Sequence, residues 1–183
     1  MMIRSIPTSI AGTVIAAVIA AGCSSESSKV ATPVEACTLL TSDEVDAAFA
    51  RTFDAATPWQ SAGGGENQAA MTSCSWEAPG AEVAGDIGAS VRNMVFINLM
   101  AWSWPAGSGG GDNYLASFEK AARELNMPAP VAVALGDAAH WNGETMNVKK
   151  GDVTLSLTVS GPLDGPALRA AAESLTKSAL GRL

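Results

Sequence analysis

The sequence predicts an α+β domain over residues 37–183: a largely antiparallel sheet with helices packed against it. Three observations carry this. Stretches around Cys74, Ile97 and Leu157 alternate along the chain with the period of two that sends successive side chains to opposite faces of a strand. Between them lie segments whose apolar residues recur at helical spacing, such as Leu115-Phe118-Ala122-Leu125 and Leu168-Ala171-Ala172-Leu175-Ala179. The last two strands are joined only by Lys150-Gly151-Asp152, a turn suited to a hairpin and too short for a parallel crossover. The order reads α-β-β-α-β-β-β-α, with the pairing order of the strands left unassigned.

Residues 1–22 read as an export signal. Arg4 precedes an apolar run, Ile10 to Gly22, that is shorter than the ~20 residues needed to span a bilayer. The run stops at Ala20-Ala21-Gly22-Cys23, which resembles the lipobox of bacterial lipoproteins, with Ala20 in place of the more usual leucine. Small residues admit the peptide to the signal peptidase, and the thiol of Cys23 accepts the diacylglyceryl group. Residues 23–36, rich in serine at their start, form a soluble tether. The expected location is the extracytoplasmic face of the cell membrane, held there by lipid.

The chain has three cysteines. With Cys23 taken by lipid, Cys37 and Cys74 remain as an even pair in an oxidising compartment, which favours a disulfide over two buried thiols. The remaining chain is long enough for one core, so a single domain is expected. Removing Arg4 with the signal takes the formal charge from −7 to −8. Such a surface repels nucleic acid and gives no attraction to anionic lipid heads, so membrane attachment falls to the anchor.

Thr41 and Glu44 make a capping box for a helix over 42–50, with Leu40 placed to staple against Val45. Cys37 is expected one short turn before it. A loop follows through Pro58, Trp59 and Gly63-Gly64-Gly65; it lacks the Gly-Lys-Ser/Thr ending of a phosphate loop. Met71 to Glu77 reads as a strand with Cys74 and Trp76 on one face. Val91 to Trp102 reads as an interior strand, with Val95, Ile97 and Leu99 on one side and Met94, Phe96, Asn98 and Met100 on the other. Because both faces are partly apolar, one requires helices and the other a loop, a second layer or a bound molecule.

Trp102-Ser103-Trp104-Pro105 ends this strand, and a glycine-rich loop leads to a helix beginning at Asp112 or Asn113. Pro128 and Pro130 prevent its continuation. A short apolar piece, Val131 to Leu135, a turn at Gly136-Asp137 and a hairpin follow. In the hairpin, Met146 and Val148 point inward and Val153, Leu155, Leu157 and Val159 line one face. Asp164 and Pro166 then suit the start of the last helix.

Ala36-Cys37-Thr38-Leu39-Leu40-Thr41, Ser73-Cys74-Ser75-Trp76, Leu135-Gly136-Asp137-Ala138-Ala139-His140-Trp141 and the strand after Lys149-Lys150-Gly151-Asp152 together resemble actinobacterial envelope lipoproteins of the domain of unknown function 3558 (DUF3558) type. The resemblance covers roughly residues 34–183. It implies a lipid-anchored extracytoplasmic domain with its two cysteines paired, and no reaction. The aromatic that usually follows the two alanines is displaced by His140, which leaves Trp141 next.

His140 is the single histidine and the obvious catalytic candidate. Asp137 would reach it on a helical turn, yet no serine or free cysteine nearby supplies a nucleophile. A small envelope hydrolase using this region is therefore the second reading, and no catalytic residue is assigned. One histidine, committed cysteines and no calcium-loop pattern leave no metal site. Haem would lack a Cys-x-x-Cys-His attachment, and the methionines suit packing, so no cofactor is expected.

Trp59, Trp102, Trp104 and Trp141 fall in or near predicted loops. They either cover the ends of the sheet or form a groove for an envelope lipid, glycan or protein. The favoured reading is a non-catalytic binding or interaction domain using Trp102, Trp104 and Trp141, with Asn98, Ser103 or Asn142 orienting a polar group of the partner.

Overall fold

A computed structural model describes residues 30–60, 68–79 and 93–183. The signal segment, Cys23, the first part of the tether, Gly63-Gly64-Gly65 and the beginning of the expected Val91 strand lie outside the described residues.

The described chain forms four helices and a seven-stranded antiparallel sheet. In order these are α1 (Ala36–Leu39), α2 (Ser42–Phe49), β1 (Thr57–Gln60), β2 (Ala70–Ala78), β3 (Val95–Ser103), α3 (Gly110–Glu124), β4 (Val131–Ala132), β5 (Ala138–Trp141), β6 (Thr145–Lys150), β7 (Val153–Ser160) and α4 (Gly165–Leu180). The sheet order is β1-β2-β3-β7-β6-β5-β4. Two antiparallel meanders, β1-β2-β3 and β4-β5-β6-β7, are thus joined edge to edge through β3 and β7, and α3 lies in the connection between them.

One face of the sheet carries the core. Directly paired residues share a face, so Cys74↔Leu99↔Leu157↔Met146↔Trp141 runs as one row from β2 to β5. All five are buried, together with Trp76, Ile97, Leu155 and Val159. Helices α1 and α4 cover this row, and α2 packs against α4. The α4 stripe is the expected one: Leu168, Ala171, Ala172, Leu175 and Ala179 are all buried. The Asp164 side chain accepts the Ala167 N–H at 2.8 Å, and proline stands in the first turn.

Helix α2 has the expected capping box. Thr41 Oγ1 accepts the Glu44 N–H at 3.3 Å, and Glu44 Oε2 accepts the Thr41 N–H at 2.9 Å. Leu40 and Val45 are both buried, as the staple requires. The helix stops when Ala50 turns left-handed at φ 48°.

Cys37 and Cys74 form a disulfide, with Cα atoms 5.0 Å apart. Cys37 sits within the short helix α1, so the bridge staples α1 to the middle of β2. The chain leading into α1 is tied to the same end of the sheet. The Val34 N–H donates to Ser103 Oγ at 3.0 Å, and the Ala36 N–H donates to Thr72 Oγ1 at 2.9 Å.

Several expectations change. Thr57–Gln60, read as loop, is an exposed edge strand paired with β2. The interior strand begins at Val95, with Asn93 and Met94 outside it. Of the apolar piece Val131 to Leu135 only Val131 and Ala132 pair, while Leu135 turns into the core. Helix α3 starts at Gly110, ahead of Asp112 and Asn113. Its Leu125 is 69% exposed, because the helix has already ended at Glu124. Ala138–Trp141 is a strand between β4 and β6, so Asp137 and His140 do not share a helical turn.

Candidate functional site

The second face of the sheet is where two of the sequence-expected tryptophans, Trp102 and Trp104, meet. Helix α3 packs there over β6 and β7. Beneath it the sheet presents Thr154, Ser156 and Asn147, all buried, and beside it the half-buried Phe96, Asn98, Met100 and Trp102 of β3. Alternation in β3 sends Val95, Ile97 and Leu99 to the core and this second set outward, as the sequence predicts.

Trp102 and Trp104 converge on Tyr114, the single tyrosine, in the first turns of α3. The Trp102 and Tyr114 rings are 4.6 Å apart between centroids, Trp104 and Tyr114 are 6.2 Å apart, and Phe118 meets Tyr114 edge-on at 5.0 Å. Tyr114 and Phe118 lie four residues apart, which puts them on one helix face. Burial pushes the Tyr114 phenol up to about 12, partly offset by its hydrogen bond with Ser156. The ring is therefore a neutral hydroxyl at any physiological pH.

Trp104 is pinned. Its backbone N–H donates to Asp152 O at 2.8 Å, and its indole Nε1–H donates to Thr154 Oγ1 at 2.9 Å. Gly110 lies so close that a Cβ there would overlap the indole ring. Only glycine lets the start of α3 rest on that ring.

Around this contact is an open cavity of about 270 Å³ lined by Trp104, Gly109, Gly110, Asp112, Lys149 and Asp152, among others. Lys149 Nζ is 2.7 Å from Asp112 Oδ1. That hydrogen bond, more than the longer-range attraction of Asp137 and Asp152, raises the Lys149 pKa above its usual value. The cavity thus holds a paired cation with further carboxylate beside it, which suits a neutral polar group better than an anion.

The other expected residues lie elsewhere. Trp141 is on the core face, 6% exposed and paired with Met146, so it does not join Trp102 and Trp104. The cause is strand parity: in β5, His140 takes the second face and Trp141 the first. Trp59 is 54% exposed on β1, opposite Ser73. Ser103 is buried and accepts the Val34 N–H, and Asn142 Oδ1 accepts the Glu144 and Thr145 N–H groups in a turn. Asn98 alone of the three orienting candidates lies on the aromatic face.

His140 Nε2 is 3.5 Å from Glu119 Oε1 of α3, and its Nδ1 is buried without a hydrogen-bond partner. Asp137 is turned away and accepts the Gly151 N–H at 2.7 Å. Ser156 stands two strands from His140 in the same row, across Asn147. A carboxylate therefore meets the ring, and no described hydroxyl or thiol hydrogen-bonds to it.

Sequence reasoning passed over Tyr114, and read Phe118 only as part of the helix packing stripe and Thr154 only as a residue of its strand's other face. The i, i+4 pair of rings was legible in the helix, but their meeting with the tryptophans depends on the sheet order. Among the described residues, no three His, Cys, Asp or Glu side chains stand together as a metal site, and no helix is long and apolar enough to cross a membrane.

The fold and site define an α+β domain with an aromatic cluster where one helix meets the outer face of its sheet, beside a polar cavity next to Trp104. No family model matches the chain, and no curated protein matches it.

Proposed function

We propose that the chain is a lipid-anchored extracytoplasmic domain of the DUF3558 type, held at the cell membrane through Cys23. In this reading it acts without catalysis, binding an amphipathic envelope partner at the Trp102–Trp104–Tyr114–Phe118 cluster and the polar cavity beside it. The observation that supports the binding site is the cluster itself. Four rings gather at the junction of α3 and β3, with Phe96 and Met100 extending the apolar track along the strand and a polar cavity at its other end. Aromatic surface beside a few polar groups is the usual composition of a small-molecule or lipid cleft. The mixed charge of the cavity favours a partner with a neutral, hydroxyl-rich polar part over one with a phosphate.

Two measurements test the reading. Intact mass and detergent partitioning of the exported chain detect lipid on Cys23. Cys23→Ala is expected to leave an unlipidated precursor whose domain still folds; wild-type protein without lipid mass in a lipidation-competent host would remove the anchor. For the site, the protein is mixed with vesicles of neutral phospholipid, with and without a neutral glycolipid, and tryptophan emission is read. A blue shift with the glycolipid, weakened in Trp102→Ala, supports the site. No shift with either vesicle refutes a lipidic partner.

A further inference from the structure

The sheet is flanked by two layers held by different chemistry. On the first face, α1, α2 and α4 close over aliphatic and aromatic residues, and the Cys37–Cys74 bridge fixes α1. On the second face, the surface under α3 is polar: Thr154, Ser156 and Asn147 are buried there, with His140 beside them. His140 and Asn147 are direct register partners, and each has a buried atom without a hydrogen-bond partner, Nδ1 and Oδ1 respectively. Orphaned atoms in a low-dielectric contact weaken it relative to either a satisfied or an apolar one.

Helix α3 buries only Gly111, Leu115 and Ala122 fully. It carries the exposed pairs Lys120–Glu124 and Arg123–Glu119, which add little to its attachment; polar ties to the sheet are Lys149–Asp112 at 2.7 Å, the Tyr114–Ser156 hydrogen bond and the Glu119–His140 contact at 3.5 Å. Left-handed backbone brackets it: Gly107 at φ 73° and Gly109 at φ 68° before it, and Asn126 at φ 53° after it. Both glycines have open space where a side chain would stand. Trp104, fixed to Thr154 and Asp152, gives Gly110 a stationary ring to turn on.

We propose that α3 is a hinged cover. It lifts from β5–β7 about Gly107–Gly110 as a unit while the sheet and the α1, α2 and α4 layer stay folded, uncovering the His140–Asn147–Ser156 row. Tyr114 and Phe118 travel with it, so the aromatic cluster opens in the same movement. That consequence for ligand entry rests on the binding reading above, whereas the movement itself does not.

Native-state hydrogen exchange of the exported full-length protein tests it. Once lifted off its packing surface, a helix of 15 residues is marginal and frays, so the α3 amides from Leu115 to Ala122 are expected to exchange at least ~100-fold faster than those of Val148, Leu155 and Leu157, with rates nearly independent of low denaturant. Exchange of α3 at the same rate and with the same denaturant slope as β7 would overturn the proposal. Asn147→Leu removes an orphaned atom without touching the His140–Glu119 contact, and is expected to slow α3 exchange roughly tenfold while leaving β2 and β3 unchanged. Unchanged or faster α3 exchange in this variant would also overturn it. If the exchange pattern holds but vesicles containing glycolipid give no emission shift, the hinge stands and the binding reading fails.

Discussion

Replacing Trp104 by alanine distinguishes a ring that holds the fold from one that only waits for a ligand. The indole is half-buried, its face covered by Gly110 and its Nε1–H committed to Thr154 Oγ1. Truncating a fully buried tryptophan costs about 3–5 kcal/mol, so a half-buried one costs about 2 kcal/mol. Thr154 is fully buried, and losing the indole donor adds about 1 kcal/mol. The total of about 3 kcal/mol corresponds to a fall in Tm of roughly 6–12 °C for a domain of this size. Trp104→Phe keeps most of the ring and should lose only about 1–2 kcal/mol. Thermal unfolding followed by circular dichroism reads both. A double-mutant cycle with Thr154→Val isolates the hydrogen bond, whose expected coupling is about 1 kcal/mol. If Trp104→Ala melts within about 2 °C of the wild type, the indole is not pinned and the role assigned to Gly110 as its companion fails with it.

Two further outcomes follow from other contacts. Reducing the Cys37–Cys74 bridge frees a loop with a sequence separation of 37, worth about 4 kcal/mol in the chain-entropy estimate, so Tm should fall by several degrees; nonreducing peptide mapping that finds both thiols free in exported protein would contradict the bridge. Glu44 is held down at about 2, first by its hydrogen bond with Arg182 and then by the Thr41 backbone. A depressed carboxylate stabilises the fold above its unfolded value near 4.5, and that contribution disappears as pH falls toward 2. Because the pair is partly exposed, screening limits its worth to about 1 kcal/mol. Glu44→Gln should therefore lower stability at pH 7 by that amount and flatten the acid limb of a stability-versus-pH curve.

The elements with strong local signals were legible. The Thr41–Glu44 box, the Asp164–Pro166 start and the alternation of β3 and β7 each carry a physical cause within a few residues. β1 was hidden because Pro58 and four exposed side chains give no buried face to alternate against. β5 was hidden because Ala138-Ala139-His140 has no β-branched residue; pairing with β6 on one side and β4 on the other makes it a strand. Missing β5 is why Trp141 was grouped with Trp102 and Trp104. Position within a strand, one residue either way, decides which side of the sheet a ring joins. The site was legible in its β3 half and illegible in its α3 half, since Tyr114 reaches the tryptophans only once β7 is placed beside β3.

Sheet order also sets where the site stands relative to the proposed anchor. The chain reaches α1 through Val34, whose N–H is bonded to Ser103, the residue between Trp102 and Trp104. Seven residues, 24–30, separate Cys23 from Ala31, which is buried in the domain; fully extended they span at most ~25 Å. A lipid on Cys23 would therefore hold the aromatic end of the sheet, and not its far end, within a few nanometres of the bilayer surface. With a net acidic protein, charge does not draw that end onto anionic headgroups. A partner already in the membrane would meet Trp102 and the α3 rings at a high local concentration, so weak affinity suffices for occupancy. Moving the attachment to the other end of the sheet, by joining the unanchored domain to vesicle lipid through Pro162→Cys in the turn after Ser160, the partner of Phe96 at that end, should lower glycolipid capture on vesicles without changing Tm. Equal capture from either end would show that proximity through Val34 plays no part.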